Sequence, residues 1–111
     1  MSTTVVNIRR AACDVYIGRS RAGEPENPWG NPFSHLPDSR AQFVVPKDEV
    51  LSRYEDWLRA QPDLVMRARR ELSGKVLGCF CRPAKGFQGR LMCHGQVLAG
   101  LVDDVDPRSI P

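Results

Sequence analysis

The feature that most constrains the fold is a pair of neighbouring stretches with helical spacing, residues 48–60 and 62–72. Short apolar runs with the composition of strands precede and follow them, so the two helices connect strands. Apolar side chains recur in both stretches at the three- and four-residue intervals that place them on one helix face. The inward-facing residues are Val50, Leu51, Tyr54, Trp57 and Leu58 in the first stretch, and Leu64, Val65, Ala68 and Leu72 in the second. Pro62 suits the first turn of the second helix, and Ser73-Gly74 ends it. A connection of this length permits the strands on either side to pair in parallel.

Three short runs have the composition of strands: residues 5–8 (VVNI), 14–18 (DVYIG) and 75–81 (KVLGCFC). A last helix is predicted over residues 94–104, which are apolar at helical spacing. The order β-β-α-α-β-α predicts an α/β fold with a small sheet and helices packed on it. At 111 residues the chain has the length of one domain. We expect its core over about residues 5–103 and a loose tail over residues 104–111.

Composition excludes some classes of function. The formal net charge of +3 comes from 16 Lys and Arg against 13 Asp and Glu, an excess too small to indicate a nucleic-acid-binding protein by itself. No apolar run reaches membrane-spanning length, and MSTTVVNIRR lacks the basic and then apolar order of a signal peptide. We therefore expect a cytoplasmic protein with no membrane partner. In a reducing cytoplasm, clustered cysteines are more often metal ligands or reactive thiols than disulfides.

Residues 77–95, LGCFCRPAKGFQGRLMCHG, hold three of the four cysteines and one of the two histidines. Cys79 and Cys81 occupy alternate positions of a predicted strand, so both thiols point to one face. With Cys93 they supply three ligands for a metal ion, and zinc is a metal that thiolate and imidazole ligands favour. The candidates for the fourth ligand are His94, His35 and Cys13.

The same residues have two other interpretations. Cys93 immediately precedes the last predicted helix, where free backbone N–H groups and the helix dipole stabilise a thiolate, and His94 or His35 could be its acid or base. Alternatively, the cysteines are buried structural residues, since a free cysteine behaves as a small hydrophobe. A disulfide between Cys79 and Cys81 is disfavoured because it would close a very tight loop on an extended strand.

A long loop with many prolines, residues 19–39, follows the second strand, as the cysteine-rich segment follows the third. The carboxyl ends of parallel strands meet at one edge of a sheet, which is where ligands bind in open α/β sheets. We therefore expect Arg19, the WGNPF segment (29–33) and the cysteines to converge at that edge.

Three residues of this loop are predicted to bind a ligand. Trp29 could stack on a planar ring, Asn31 offers both a donor and an acceptor, and Arg19 is placed to hold a phosphate or carboxylate. The structural alternatives are a loop anchored in the core by Trp29 and Phe33, and an ion pair of Arg19 with a glutamate of the same loop. The glutamates concerned are Glu24 and Glu26.

Several of these segments, in this order, resemble a known family. They are VYIGR (15–19), WGNPF (29–33), a helix with Tyr54 and Trp57, LGCFC (77–81) and CHG (93–95). Over roughly residues 5–103 they are similar to the family catalogued as domain of unknown function 4326, small proteins of bacteria and their phages. An aromatic residue between the paired cysteines is typical of that family and is Phe80 here, whereas the segment RPAKGFQGRLM is longer than the family pattern has. The resemblance implies a host-modulating or defence-related role and names no reaction.

Two hypotheses of function follow. The first is a protein that binds or processes a nucleotide-like small molecule at the carboxyl edge of the sheet, with catalysis left open. The second is a zinc-stabilised interaction module that binds nucleic acid or a host protein. The basic run RARR (67–70) could contribute phosphate contacts in the second case.

Overall fold

The computed structural model describes residues 2–20, 25, 27–37 and 42–111. The elements are β1 (Thr4–Asn7), β2 (Val15–Tyr16), β3 (Phe33–Ser34), β4 (Phe43–Val44), α1 (Val50–Arg59), α2 (Pro62–Leu72), β5 (Val76–Cys79) and α3 (His94–Asp103). Short 3-10 turns occupy Lys47–Glu49 and Pro107–Ser109. This is the mixed α/β architecture that the order of strand and helix patterns predicts.

The main sheet has the strand order β1-β5-β2, with both neighbours parallel to the central strand. Thr4 pairs with Val76 on one side, and Val15 pairs with Leu77 on the other. The parallel pairing predicted for the second and third strands of the sequence is therefore confirmed. Its consequence is that the carboxyl ends of all three strands lie at one edge.

A second, two-stranded sheet was not predicted. β3 pairs in parallel with β4, Phe33 opposite Phe43, and the two phenyl rings stack with centroids 5.2 Å apart. β3 lies inside the proline-rich loop over residues 19–39, whose composition is typical of a loop, and β4 pairs only with β3 among the described strands, which is why the pattern missed both.

The two predicted amphipathic helices are confirmed as α1 and α2. Tyr54 and Leu58 of α1 and Ala68 and Leu72 of α2 are buried, as the spacing predicts. Pro62 occupies the first turn of α2, where its missing N–H has no intrahelical partner to lose. No helix among the described residues is long and apolar enough to cross a bilayer.

Helix α3 is the centre of the packing. Every residue from Gly95 to Val102 is buried, because α3 contacts β1 and β5 on one side and α1 and α2 on the others. A Cβ atom at Gly95 would lie 2.9 Å from Cγ1 of Val5 and 3.1 Å from Cδ1 of Ile17. The glycine therefore lets the start of α3 approach the sheet closely, next to the strands' carboxyl ends.

The tail over residues 104–111 has one buried side chain and one short 3-10 turn. Ile110 is 4% exposed and belongs to the hydrophobic core. Asp106 caps the 3-10 turn by accepting the backbone N–H of Arg108 at 2.9 Å. The 3-10 turn Pro107–Ser109 contacts α3, and the buried Ile110 follows it directly.

Candidate functional site

Three sulfur atoms meet where β5 ends and α3 begins. Sγ of Cys79 lies 3.2 Å from Sγ of Cys93 and 3.5 Å from Sγ of Cys81. The ring of His94 completes the group, with Nδ1 3.6 Å from Sγ of Cys81. We call these four residues the cysteine–histidine cluster.

Within this cluster, Cys81 and Cys93 are joined as a disulfide, with their Cα atoms 5.5 Å apart. Cys79 and Cys13 are free thiols. The sequence pattern predicted a metal site or a reactive thiol rather than a disulfide, and the bond between Cys81 and Cys93 was not predicted. Cys13, a candidate fourth ligand, lies against Gly78, the strand residue that faces away from Leu77 and Cys79. Of the candidate fourth ligands, the structure therefore brings His94 to the sulfurs.

His94 is held in one orientation by the main chain. Its Nε2 lies 2.9 Å from the carbonyl oxygen of Ile17, which can only accept, so Nε2 carries the proton and donates it. Nδ1 then has a free lone pair directed towards Cys81. Burial lowers the pKa of His94 to about 4. The positive charge of Arg19 also lowers this pKa, whereas the hydrogen bond to the Ile17 carbonyl raises it. The imidazole is therefore neutral at physiological pH.

Two adjacent side chains such as those of Cys93 and His94 can bind one metal ion only if the backbone bends between them. The backbone bends here because an extended residue is followed directly by a helix. Cys93 is extended, with φ −145° and ψ 142°, and His94 is the first residue of α3. Sγ of Cys93 accepts the backbone N–H of Gly95 at 3.4 Å. The buried Gln96 completes a capping box, because its Oε1 accepts the backbone N–H of Cys93 at 2.9 Å.

Hydrogen bonding and burial act on Cys79 in opposite directions. Burial raises the pKa of the Cys79 thiol, whereas the backbone N–H groups of Cys81 and Arg82, which donate to its sulfur, lower it, as does the charge of Arg82. Cys79 and Cys93 are both 0% exposed, and Cys81 is exposed. If the disulfide is reduced, the thiol that meets solvent is therefore that of Cys81, whereas the predicted nucleophile Cys93 is buried.

Arg19 and Asn31 work first as anchors of the WGNPF segment. Nε and Nη2 of Arg19 donate to the carbonyl oxygens of Asn31 and Phe33, both at 2.8 Å. Oδ1 of Asn31 accepts the backbone N–H of Phe33 at 2.9 Å. Burial lowers the pKa of Arg19, with Tyr16 opposing it. The expected ion pairs of Arg19 with Glu24 or Glu26 lie outside the described residues.

Trp29 occupies the core and does not join the site. Its side chain is 4% exposed, and the guanidinium of Arg67 covers its ring at 5.4 Å from the centroid. Its carbonyl accepts the hydroxyl of Tyr54 at 2.7 Å. The ring-stacking role predicted for Trp29 is therefore not supported by its position, which matches the structural alternative of an anchored loop.

A cavity of about 590 Å³ opens beside the cluster. It brings together the predicted site residues Arg19, Asn31, Cys81, Cys93 and His94, and apart from Tyr16 and Gly18 its other lining residues are apolar or basic. The apolar ones include Val50, Leu51, Phe80, Leu91 and Met92, and the basic ones are His35 and Lys47. Among the described lining residues none is acidic, so the charges that face the cavity are positive. Arg19 and Asn31 also border a second cavity of about 570 Å³, which Trp57 and Leu64 line.

The basic run at 67–70 is largely engaged in contacts within the protein. Arg67 pairs with Glu71 at 2.6 Å, and Nε of Arg69 donates to the carbonyl of Leu101 at 3.1 Å. These contacts leave Arg70 as the member of the run that is exposed without an assigned partner among the described residues.

Two asparagines that the sequence analysis missed hold the site. Nδ2 of Asn7, the last residue of β1, donates to the carbonyls of Phe80 and Arg82 at 3.2 and 3.0 Å. Nδ2 of Asn27 donates to the carbonyl of Tyr16 at 2.8 Å and fixes the loop to β2. The available signal was position, since Asn7 directly follows apolar strand residues at the edge that the cysteines share.

Comparisons with known proteins give one result. The family model described as Domain of unknown function (DUF4326) matches residues 4–104 of the 111. No curated protein and no solved structure gives a significant match. Since the family model covers nearly the whole chain, the protein belongs to the family Domain of unknown function (DUF4326), as its motifs predicted.

Proposed function

We propose that this protein binds a small anionic molecule of nucleotide size in the 590 Å³ cavity beside the cysteine–histidine cluster. One observation carries the proposal: the described charges facing the cavity are cationic, while its wall is apolar. Binding pockets for small molecules commonly have volumes of about 300–1,000 Å³, apolar walls and a few convergent polar groups. The position at the carboxyl edge of a parallel sheet supports the same assignment.

Each part of such a ligand has a partner in the cavity. Lys47 is exposed at the rim and can meet an anionic group, and Arg19 keeps donor N–H groups beyond the two that hold the loop. Phe80 is 45% exposed and, in place of Trp29, offers an aromatic surface for a planar ring. We place the protein in the cytoplasm as part of the same proposal.

The test uses adenosine monophosphate, adenosine and inorganic phosphate as probes, measured by calorimetry with the reduced full-length protein. We expect adenosine monophosphate to bind most tightly, because only this probe fills the apolar wall and reaches the cations. Replacement of Lys47 by Ala should weaken its binding about tenfold, equivalent to about 1.4 kcal/mol. Binding should also weaken with added salt.

The matched control is Lys75→Ala, since Lys75 is an exposed lysine that precedes β5, at the end of the strand away from the cavity. Equal loss of affinity in both variants would indicate a nonspecific charge effect and contradict the proposal. Absence of binding of all three probes at millimolar concentration would also contradict it.

The second candidate function is a zinc-stabilised module that binds nucleic acid or a host protein. The convergence of the sulfurs of Cys79, Cys81 and Cys93 favours its metal component. The contacts of Arg67 and Arg69 within the protein count against the RARR run as a phosphate-binding surface. We therefore retain the metal component alone and develop it below.

A further inference from the structure

The cysteine–histidine cluster holds more donor atoms than a disulfide uses. The bond between Cys81 and Cys93 employs two sulfurs, yet the sulfur of Cys79 lies 3.2 Å and 3.5 Å from them. The three sulfurs all lie within 4.8 Å of one another. In a tetrahedral zinc site with Zn–S bonds of about 2.3 Å, sulfur atoms are separated by about 3.8 Å. Two of the three sulfur separations, 3.2 and 3.5 Å, are close to that spacing, and reduction of the Cys81–Cys93 bond frees the third pair to separate.

His94 supplies a fourth donor of the correct kind. Because its Nε2–H is committed to the carbonyl of Ile17 at 2.9 Å, the free lone pair is on Nδ1, 3.6 Å from the sulfur of Cys81. A ligand histidine that donates its other ring N–H to a backbone carbonyl is the usual arrangement at metal sites, since the hydrogen bond fixes ring and tautomer.

The backbone is also arranged to support metal-bound sulfur. The backbone N–H of Gly95 donates to the sulfur of Cys93 at 3.4 Å. Hydrogen bonds to a sulfur that carries negative charge are stronger than those to a neutral thiol. The start of α3 therefore presents the sulfur of Cys93 with a backbone donor already in place.

We propose that the cysteine–histidine cluster of the reduced protein binds one zinc ion, through three thiolates and Nδ1 of His94. Sulfur and imidazole donors select zinc over magnesium or calcium, and four protein ligands make the site closed and structural. The exposed Cys81 gives the ion access from the cavity. This inference is independent of the proposed ligand binding, because metal binding is measured without any anionic ligand.

The disulfide and the metal site are two states of the same sulfurs. A dithiol reductant breaks the Cys81–Cys93 bond by giving each sulfur one electron and one proton, and closes to its own disulfide. Zinc then replaces the protons of the three thiols, which pass to the solvent. Metal binding is therefore expected in the reduced protein and lost in the oxidised one.

The first experiment titrates the full-length protein with Zn²⁺ against a chromophoric chelator, after reduction by a dithiol and its removal without oxygen. A parallel titration with Co²⁺ records the absorption spectrum. We expect one ion per chain, sulfur-to-cobalt charge-transfer absorption and the intense visible bands of tetrahedral cobalt. Weak, substoichiometric binding or the spectrum of octahedral cobalt would overturn the proposal.

Variants then assign the ligands. Cys79→Ser, Cys81→Ser and Cys93→Ser should each reduce zinc affinity by more than the roughly 10–100-fold typical of outer-shell changes. Cys13→Ser is the matched control, because Cys13 is the cysteine outside the cluster. His94→Gln is compared with His35→Gln in the same way. Equal losses in cluster and control variants would reject the assignment.

Zinc X-ray absorption of the unaltered protein keeps the test decisive if a variant fails to fold. The expected shell is three sulfurs at about 2.3 Å and one nitrogen at about 2.0–2.1 Å. A shell of oxygen and nitrogen atoms alone would place the ion elsewhere and refute the site.

Discussion

A hydrogen bond from a buried side chain of α1 helps to position the WGNPF segment. The hydroxyl of Tyr54, a side chain that is 0% exposed, donates to the carbonyl of Trp29 at 2.7 Å. Burial raises the pKa of Tyr54, so the phenol stays a neutral donor. This hydrogen bond links α1 to the loop that borders the cavity, because Asn31, which lines the cavity, lies two residues after Trp29.

At the residue scale, we predict that Tyr54→Phe lowers the free energy of unfolding by about 1–2 kcal/mol, since the Trp29 carbonyl loses its partner away from solvent. Chemical denaturation measures the change. Tyr16→Phe is the comparison: Tyr16 also donates to a carbonyl, that of Arg19 at 3.1 Å, but it is half-buried. A smaller effect is expected there because water can replace the hydroxyl, and the reverse order would contradict this account.

The beginning of α3 is the element that assembles the site. Cys93 is its N-cap, His94 its first residue, and Gln96 binds back to the segment before it. Oε1 of Gln96 accepts the N–H groups of Met92 and Cys93 at 2.6 and 2.9 Å, and its Nε2 donates to the carbonyl of Arg90 at 2.7 Å. One fully buried side chain thereby fixes the chain that delivers Cys93.

At this element scale, Gln96→Ala should destabilise the protein by about 2–3 kcal/mol, because several buried backbone groups lose their partner. The gain in helix propensity from Ala is smaller, a few tenths of a kcal/mol. Thermal unfolding followed by circular dichroism measures the balance. Ser52→Ala in α1 is the control for a new helical alanine, because Ser52 is exposed. A stability equal to that of the control variant would rule out this role for Gln96.

Across the whole molecule, contacts between the ends of the chain close the fold. The backbone N–H and the hydroxyl of Thr3 donate to the two carboxylate oxygens of Asp103, both at 2.7 Å. The Thr3 hydroxyl also accepts the N–H of Gly74, just before β5. Together with the buried Ile110, these contacts join the start of β1 and the segment entering β5 to the end of α3.

At this largest scale, Ile110→Ala should lower the free energy of unfolding by about 2–4 kcal/mol through lost burial and the cavity it leaves. Because the tail packs on α3, circular dichroism and tryptophan fluorescence should still report one shared transition. Val105→Ala, at a position 46% exposed in the same tail, should change stability by no more than about 0.5 kcal/mol. Comparable effects of the two changes would mean that the tail is not part of the core.

The sequence by itself determined the helices, their buried faces and the parallel strands between which they cross. It did so because the spacing of residues such as Tyr54 and Leu58 is a local property that survives in any context. The family and the meeting of cysteines at one sheet edge were also readable, the latter because carboxyl ends of parallel strands coincide.

Only the tertiary structure decided which atoms meet. Trp29 points into the core, and Ile17 orients His94 from 77 residues away, neither of which a local pattern encodes. The disulfide between Cys81 and Cys93 likewise depends on the path by which the intervening loop reaches the start of α3. These partners are chosen by packing between distant segments, where small differences in burial and hydrogen bonding outweigh the preferences of single residues.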